Sequence, residues 1–209
     1  MGSGEEDIRE GRTLLWSGGT QRRGGVGLVL NSFARKALPS FTPISSRLLR
    51  ARIDGTHGKI TILTCYAPTN EAKDDDKDGL YVLLSSELSS VPPHDYLIVL
   101  GDFNACVANS SGLYDAAVGP VMVDTLNGSG EWLLNCCITH ALSVTNTWFV
   151  RRDIAMHTWH KNDGKTKRCL TTSLYDETGF RLSRTAAHTE VPSSAIITIV
   201  LFLQGSNYG

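Results

Sequence analysis

Four consecutive residues, Gly101-Asp102-Phe103-Asn104, carry the clearest chemistry in this sequence, because an apolar run over 96–100 leads directly into them. That run predicts a buried strand, so the carboxylate of Asp102 and the carboxamide of Asn104 would stand at the tip of a rigid element. A sheet protein can hold a metal ion and a phosphate with polar groups in such a place. The alternative is an ordinary turn, in which Asp and Asn are also common.

Two further motifs have residue types that suit phosphate chemistry. Tyr66-Ala67-Pro68 follows a run rich in β-branched residues, and a tyrosine hydroxyl at the end of a strand could donate to a phosphate oxygen. Thr158-Trp159 follows the basic stretch Arg151-Arg152-Asp153. A tryptophan buried in a hairpin is the simpler interpretation of that pair, so each motif is weak evidence when taken alone.

The elements that would position these motifs can be predicted from periodicity and turn residues. Strands outnumber helices, which favours an α+β fold in one domain, with two packed sheets and helices outside. The acidic stretch over 70–78 is predicted as a solvated loop that leads into a helix. Predicted strands cover residues 25–30, 47–53, 59–66, 96–100, 143–150 and 195–203; predicted helices cover 80–88 and 127–142; a hairpin joins 156–160 to 166–173.

Composition narrows the class of protein. The chain has 209 residues, 41% of them hydrophobic and 20% charged, with a formal net charge of −1. This balance is typical of a globular domain and provides no overall field that would draw the protein onto nucleic acid. Any such contact would need local basic clusters, of which 22–23, 47–52, 151–152 and 161–168 are candidates. The five cysteines show no zinc-site spacing and predict reduced thiols, and no apolar run is long enough for a membrane helix.

Taken together and in order, the motifs resemble the endonuclease/exonuclease/phosphatase superfamily. The similarity is greatest to the endonuclease domains of non-LTR retrotransposons, a type often labelled craniofacial development protein 2-like. It covers roughly residues 2–168, and the segments are specific as a set. They are Leu14-Leu15-Trp16-Ser17-Gly18, Gly25-Val26-Gly27-Leu28-Val29-Leu30, Thr64-Cys65-Tyr66-Ala67-Pro68-Thr69, Ile98-Val99-Leu100-Gly101-Asp102-Phe103-Asn104-Ala105, Asn127-Gly128-x-Gly130-Glu131-x-Leu133-Leu134, Asn146-Thr147 and Thr158-Trp159.

The resemblance implies a four-layered α/β sandwich, in which two facing mixed sheets are flanked by helices, and metal-assisted hydrolysis of a DNA phosphodiester. Magnesium or manganese would be the cofactor. Asp102 would activate or orient the attacking water and contact the metal, and Asn104 would hold the phosphate or the nucleophile. Tyr66 would contact the scissile phosphate, and Thr158 and Trp159 would serve structure and substrate contact.

The chain departs from the family pattern at both ends. The family's early Asn and its metal-binding Glu would lie upstream of Gly2. Thr171-Thr172 stands where the family has Asp-Tyr, and the tail over 191–196 stands where it has Ser-Asp-His. We therefore expect one domain over 1–209, with a divergent part over 169–209, weak magnesium binding by Asp102 and impaired or lost hydrolysis.

Three other functions stay open at this stage. The chain could be a catalytically inactive remnant that binds nucleic acid, a small-molecule phosphatase of the same superfamily, or an α+β interaction domain outside it. An intracellular location is expected from the cysteines, and a nuclear one if the protein acts on DNA. The oligomeric state is not indicated by the sequence.

Overall fold

The computed structural model describes residues 2–19, 24–108, 112–121, 125–148, 159–160, 167–168, 173–175 and 197–201. The chain divides into two compact units, the first formed by 1–66, 92–101 and 184–209 and the second by 67–91 and 102–183. The elements in chain order are β1 Gly4–Ile8, β2 Arg12–Gly18, β3 Gly25–Asn31, α1 Ser32–Lys36, β4 Ser40–Ser45, β5 Leu48–Gly55, β6 Gly58–Tyr66, α2 Asp74–Ser89, β7 Tyr96–Asp102, α3 Gly128–Thr139, β8 Ser143–Val144, β9 Trp159–His160, β10 Lys167–Arg168, β11 Ser173–Tyr175 and β12 Ile197–Leu201.

The first unit contains an antiparallel sheet in the order β1-β2-β3-β12. At its centre Leu28 lies opposite Leu15 on one side and Ile199 on the other. The apolar run of β3 from Val26 to Leu30 is buried, and its alternate residues Val26, Leu28 and Leu30 belong to the hydrophobic core. The strand predicted over 25–30 is confirmed as β3, and the one predicted over 195–203 is confirmed at 197–201 as β12, its other residues lying outside the described ones.

A second set of strands in this unit follows the order β4-β5-β6-β7. β5 and β6 form an antiparallel hairpin that closes between Gly55 and Gly58. Gly58, at the start of β6, lies against the ring of Tyr96, and Gly101, near the end of β7, lies against the carbonyl oxygen of Cys65. The start of β6 therefore lies beside the start of β7, and the end of β6 lies beside the end of β7. The two strands run parallel and finish at the same edge of the sheet.

The two sets of strands face each other across one hydrophobic core. Leu15 and Leu28 contribute from the first sheet, and Leu49, Ala51 and Ile62 contribute from the second; all five are fully buried. Alternate residues of β5 point into this core, which is why Arg50 and Arg52 lie on its other face. The predicted pair of facing sheets is confirmed.

The second unit contains α2 and α3, which pack on each other. The ring of Tyr81 stacks on that of Trp132, with centroids 5.8 Å apart and planes inclined by 20°. The predicted loop over 70–78 is wrong from Asp74 onward, because α2 begins there. Three acidic residues in the first turn favour this start, since they interact with the positive end of the helix dipole. None of the helices in the described part of the chain is long and apolar enough to cross a membrane.

Short strand pairs complete the description of the second unit. β8 pairs with β11, and β9 pairs with β10, both antiparallel. The strand predicted over 143–150 is wrong at 145–147, because these residues form a 3-10 turn in which the hydroxyl of Thr147 donates to the carbonyl of Val144 at 2.6 Å. Residues 149–150 lie outside the described residues. The predicted hairpin is confirmed at the paired residues of β9 and β10, while its turn over 162–164 lies outside the described residues.

The cysteines are consistent with the expectation of reduced thiols. Cys136 and Cys137 are free and buried, Cys65 and Cys106 are buried, and Cys169 lies outside the described residues. Burial raises the pKa of the Cys136 thiol to about 11, so this group stays protonated near neutral pH.

Candidate functional site

The residues at the end of β7 form a tight turn over 102–104. The backbone N–H of Asn104 donates to the Oδ1 atom of Asp102 at 2.9 Å. Asn104 has a φ of 48°, in the left-handed region, which asparagine tolerates better than most residues. The N–H of Asn104 therefore binds only Oδ1 of Asp102 and not the second carboxylate oxygen, Oδ2.

The carboxamide of Asn104 is fixed by the segment that follows β6. Its Nδ2 atom donates to the carbonyl oxygen of Ala67 at 2.9 Å, and the N–H of Ala67 donates to the carbonyl of Asp102 at 2.8 Å. A carboxamide nitrogen has two N–H groups, so this bond leaves one of them for another acceptor. The amide is thus held in one orientation before any ligand binds.

Asn127 connects this region to the start of α3. Its Oδ1 atom accepts from the N–H of Gly130 at 2.8 Å, which is the N-cap bond of α3, and from the N–H of Cys106 at 3.0 Å. Its Nδ2 atom donates to the carbonyl of Asn104 at 3.4 Å. A Cβ atom on Gly130 would lie 2.1 Å from the carbonyl oxygen of Cys106, so only glycine permits this approach.

A second asparagine ties the same helix end to the segment after β6. Asn70 Oδ1 accepts from the N–H of Ser129 at 3.1 Å. The carbonyl of Asn70 in turn accepts from the buried ammonium of Lys77 at 2.9 Å. The residues around 102–104 are therefore supported by two segments that are remote in sequence, 67–70 and 127–130.

The electrostatic environment of Asp102 differs from that of a surface carboxylate. Desolvation by burial raises the pKa of Asp102 above its ordinary value, and the hydrogen bond from the Asn104 N–H opposes that rise. Perturbed carboxylates of this kind occur more often at functional sites than elsewhere, although buried structural groups share the property.

Comparisons with known proteins bear on the fold. No protein-family model matches the chain. Among solved structures, an endonuclease/exonuclease/phosphatase family protein from Leptotrichia buccalis C-1013-b aligns with a TM-score of 0.50 and 15% identity, over 81% of this chain and 62% of that one. The chain has the endonuclease/exonuclease/phosphatase fold. The endonuclease domain of TRAS1, a telomere-specific non-LTR retrotransposon, aligns with a TM-score of 0.43 and 13% identity, over 64% of this chain and 52% of that one.

The chain is also similar in sequence to craniofacial development protein 2. It is 29% identical to the Bos taurus protein over 144 residues, which cover 69% of this chain and 24% of that protein. The Tragulus javanicus protein is 27% identical over 144 residues, covering 69% and 25%. The chain thus spans about a quarter of the length of these relatives. The predicted similarity to craniofacial development protein 2-like sequences and the predicted fold class are both confirmed.

The described residues do not fit the magnesium or manganese ion that the resemblance implies. They include no group of three or more His, Cys, Asp or Glu side chains that could hold a metal ion. Magnesium keeps its water ligands unless several oxygens replace them, and Asp102 supplies a single carboxylate. Metal binding by Asp102 stays a prediction from the resemblance.

The other predicted site residues belong to other parts of the chain. Tyr66 closes β6 in the first unit, where the guanidinium carbon of Arg47 lies 5.1 Å from the centroid of its ring. Thr158 lies outside the described residues, and only the backbone of Trp159, in β9, is described. The structure therefore brings Asp102 and Asn104 together, while the substrate-binding roles of Tyr66, Thr158 and Trp159 stay predictions.

The sequence does not predict two of the contacts around the turn. It predicts Asn127 as a cap of α3 and includes 127–134 in the family resemblance, but it does not predict the bond of Asn127 to Cys106. Asn70 falls in the predicted loop, and its bond to Ser129 is not predicted either. The signal that could have found Asn70 is an asparagine directly after Tyr66-Ala67-Pro68-Thr69, at the start of a highly charged stretch.

Proposed function

We propose that this chain is an endonuclease-type domain that engages a DNA phosphodiester through Asp102 and Asn104. The observation that carries the proposal is the turn over 102–104, in which the amide of Asn104 is fixed on the carbonyl of Ala67 and one oxygen of Asp102 is bound by the backbone. The family segments, present in order along the chain, and the endonuclease/exonuclease/phosphatase fold support this assignment over that of an ordinary turn.

Each side chain has a role that its chemistry allows. The remaining N–H of the Asn104 carboxamide would donate to a phosphate oxygen, and the other carboxylate oxygen of Asp102 would orient the attacking water and accept its proton. The raised pKa of Asp102 brings this carboxyl closer to the range in which proton transfer is efficient. No step is assigned to a metal ion, because the described residues do not fit one.

Hydrolysis by the 209-residue chain is expected to be strongly impaired. The proposed site has one carboxylate, and the sequence shows Thr171-Thr172 where the family has Asp-Tyr. The contributions to the rate of groups that act together in a site are not additive, so the loss of one group can lower the rate by several orders of magnitude. A protein that acts on DNA in this way would work in the nucleus.

Nicking of supercoiled plasmid by the purified chain in millimolar magnesium tests the proposal. We expect slow nicking that falls to background in Asp102→Ala and by about 100-fold in Asn104→Ala. Asp76→Ala, which removes an exposed carboxylate on α2, is the matched control and should leave the rate unchanged. Equal rates in all four proteins would overturn the assignment to Asp102 and Asn104.

A second candidate function is DNA binding without hydrolysis. It is favoured by the observation that the described residues contain no cluster of three metal-ligating side chains. This function predicts that the chain binds duplex DNA in a salt-sensitive way, measured by fluorescence anisotropy, and does not nick plasmid. Hydrolysis of inositol phosphates, with no action on plasmid or abasic oligonucleotide, would instead identify a small-molecule phosphatase.

A further inference from the structure

Arg47 occupies the two-residue turn between β4 and β5 and is held there by several contacts. Its N–H donates to the hydroxyl of Ser45 at 3.1 Å, and its carbonyl accepts from the N–H of Tyr66 at 2.9 Å. Its Nη1 atom donates to the carbonyl of Tyr66 at 3.2 Å. Together with the ring of Tyr66 beside the guanidinium, these contacts fix the plane of the cation.

The partners of Arg47 differ from those of other arginines in the first unit. Arg52 is paired with Asp95 at 2.7 Å, Arg35 with Glu5 at 2.7 Å and Arg12 with Glu10 at 2.6 Å, so a carboxylate neutralises each of these charges. Among the described residues, Arg47 contacts only neutral groups. These contacts orient the guanidinium of Arg47, and no carboxylate among the described residues pairs with its charge.

The chemistry of a fixed guanidinium indicates which partner it fits. A guanidinium has five N–H donors, and one of them is used on the Tyr66 carbonyl. The others can form the paired, parallel hydrogen bonds that match phosphate oxygens. An arginine that is already immobilised loses less side-chain entropy when it binds.

We propose that Arg47 binds a backbone phosphate of DNA, beside the phosphate contact expected for Tyr66. This inference rests on the proposed function, because it takes DNA as the ligand of the chain. It adds a cation of the first unit that would contact the phosphodiester backbone, which is read through charge and shape and not through base sequence.

The test is the salt dependence of DNA affinity, measured by fluorescence anisotropy with two duplexes of unrelated sequence. Arg47→Ala should weaken binding of both duplexes about tenfold at low salt and reduce the slope of log K against log salt by about 1. Arg35→Ala is the matched control, since it removes the same charge from a cation that Glu5 already neutralises. It should leave the slope unchanged.

The outcomes distinguish a failure of the role of Arg47 from a failure of the proposed function. An unchanged slope in a folded Arg47→Ala protein, with the parent chain binding normally, would overturn the role of Arg47 and leave the proposed function intact. Failure of the parent chain to bind either duplex would overturn both. If Arg47→Ala does not fold, Arg47→Gln, which keeps a donor for the Tyr66 carbonyl without the charge, decides by the same slope.

Discussion

Two carboxylates at opposite ends of β7, Asp95 directly before it and Asp102 at its end, have different environments. Asp95 accepts from the Nε and Nη2 atoms of Arg52 at 2.7 and 2.8 Å and from the hydroxyl of Thr61 at 2.7 Å. The hydrogen bonds from Arg52 are the main reason why its pKa is lowered, whereas desolvation raises the pKa of Asp102. Asp95 therefore has a structural role, whereas Asp102 can still accept a hydrogen bond from a ligand or a water molecule.

The role of Asp95 predicts a specific dependence of stability on pH. Because its pKa is lower in the folded protein, its stabilisation is complete above the carboxyl pKa of the unfolded chain, about 3.9, and is lost as pH falls through the folded value. Asp95→Asn should reduce the free energy of unfolding by about 1.5 kcal/mol at pH 7, measured by urea denaturation. The difference from the parent protein should shrink in acid.

The control for this prediction is Asp54→Asn, which removes the carboxylate of an exposed pair with Lys59. Exposed ion pairs contribute little to stability, so the free energy of unfolding should change by less than about 0.5 kcal/mol. A difference between Asp95→Asn and the parent protein that is the same at pH 7 and in strong acid would contradict the role assigned to Asp95.

At the scale of elements, β6 and β7 run parallel, and both end at the same edge of their sheet. Gly101 has a φ of 154°, and a Cβ atom there would lie 1.7 Å from the carbonyl oxygen of Cys65. The strand over 96–100 and the cap at Asn127 were predictable, because local apolar patterning and capping residues specify them. The start of α2 was not, because charge alone does not distinguish an acidic loop from the first turn of a helix.

Two glycine-to-alanine changes test this description with opposite signs. Gly101→Ala should lower the free energy of unfolding by about 3 kcal/mol or more, because the backbone must move away from Cys65. Gly79→Ala, in the exposed interior of α2 with nothing near its Cβ position, should raise it by about 0.5–1 kcal/mol. Thermal denaturation followed by circular dichroism measures both, and an unchanged midpoint for Gly101→Ala would contradict the close approach.

At the scale of the whole molecule, the pair of facing sheets could be predicted from the family segments. The bonds that support the site could not, because they join residues far apart in sequence: Ala67 with Asn104, and Asn70 with Ser129. No local period encodes such contacts. The partition of 67–91 and 102–183 into one unit is likewise a property of packing that the linear pattern does not show.

The central claim is that the turn over 102–104 contacts a DNA phosphodiester, and an NMR titration of the ¹⁵N-labelled chain with a short duplex tests it most directly. We predict that the side-chain amide of Asn104 and the backbone amides over 102–104 shift with the dissociation constant obtained by anisotropy. The exposed first turn of α2, over 74–76, should not shift. If the chain binds DNA while the Asn104 resonances stay in place, the claim is contradicted.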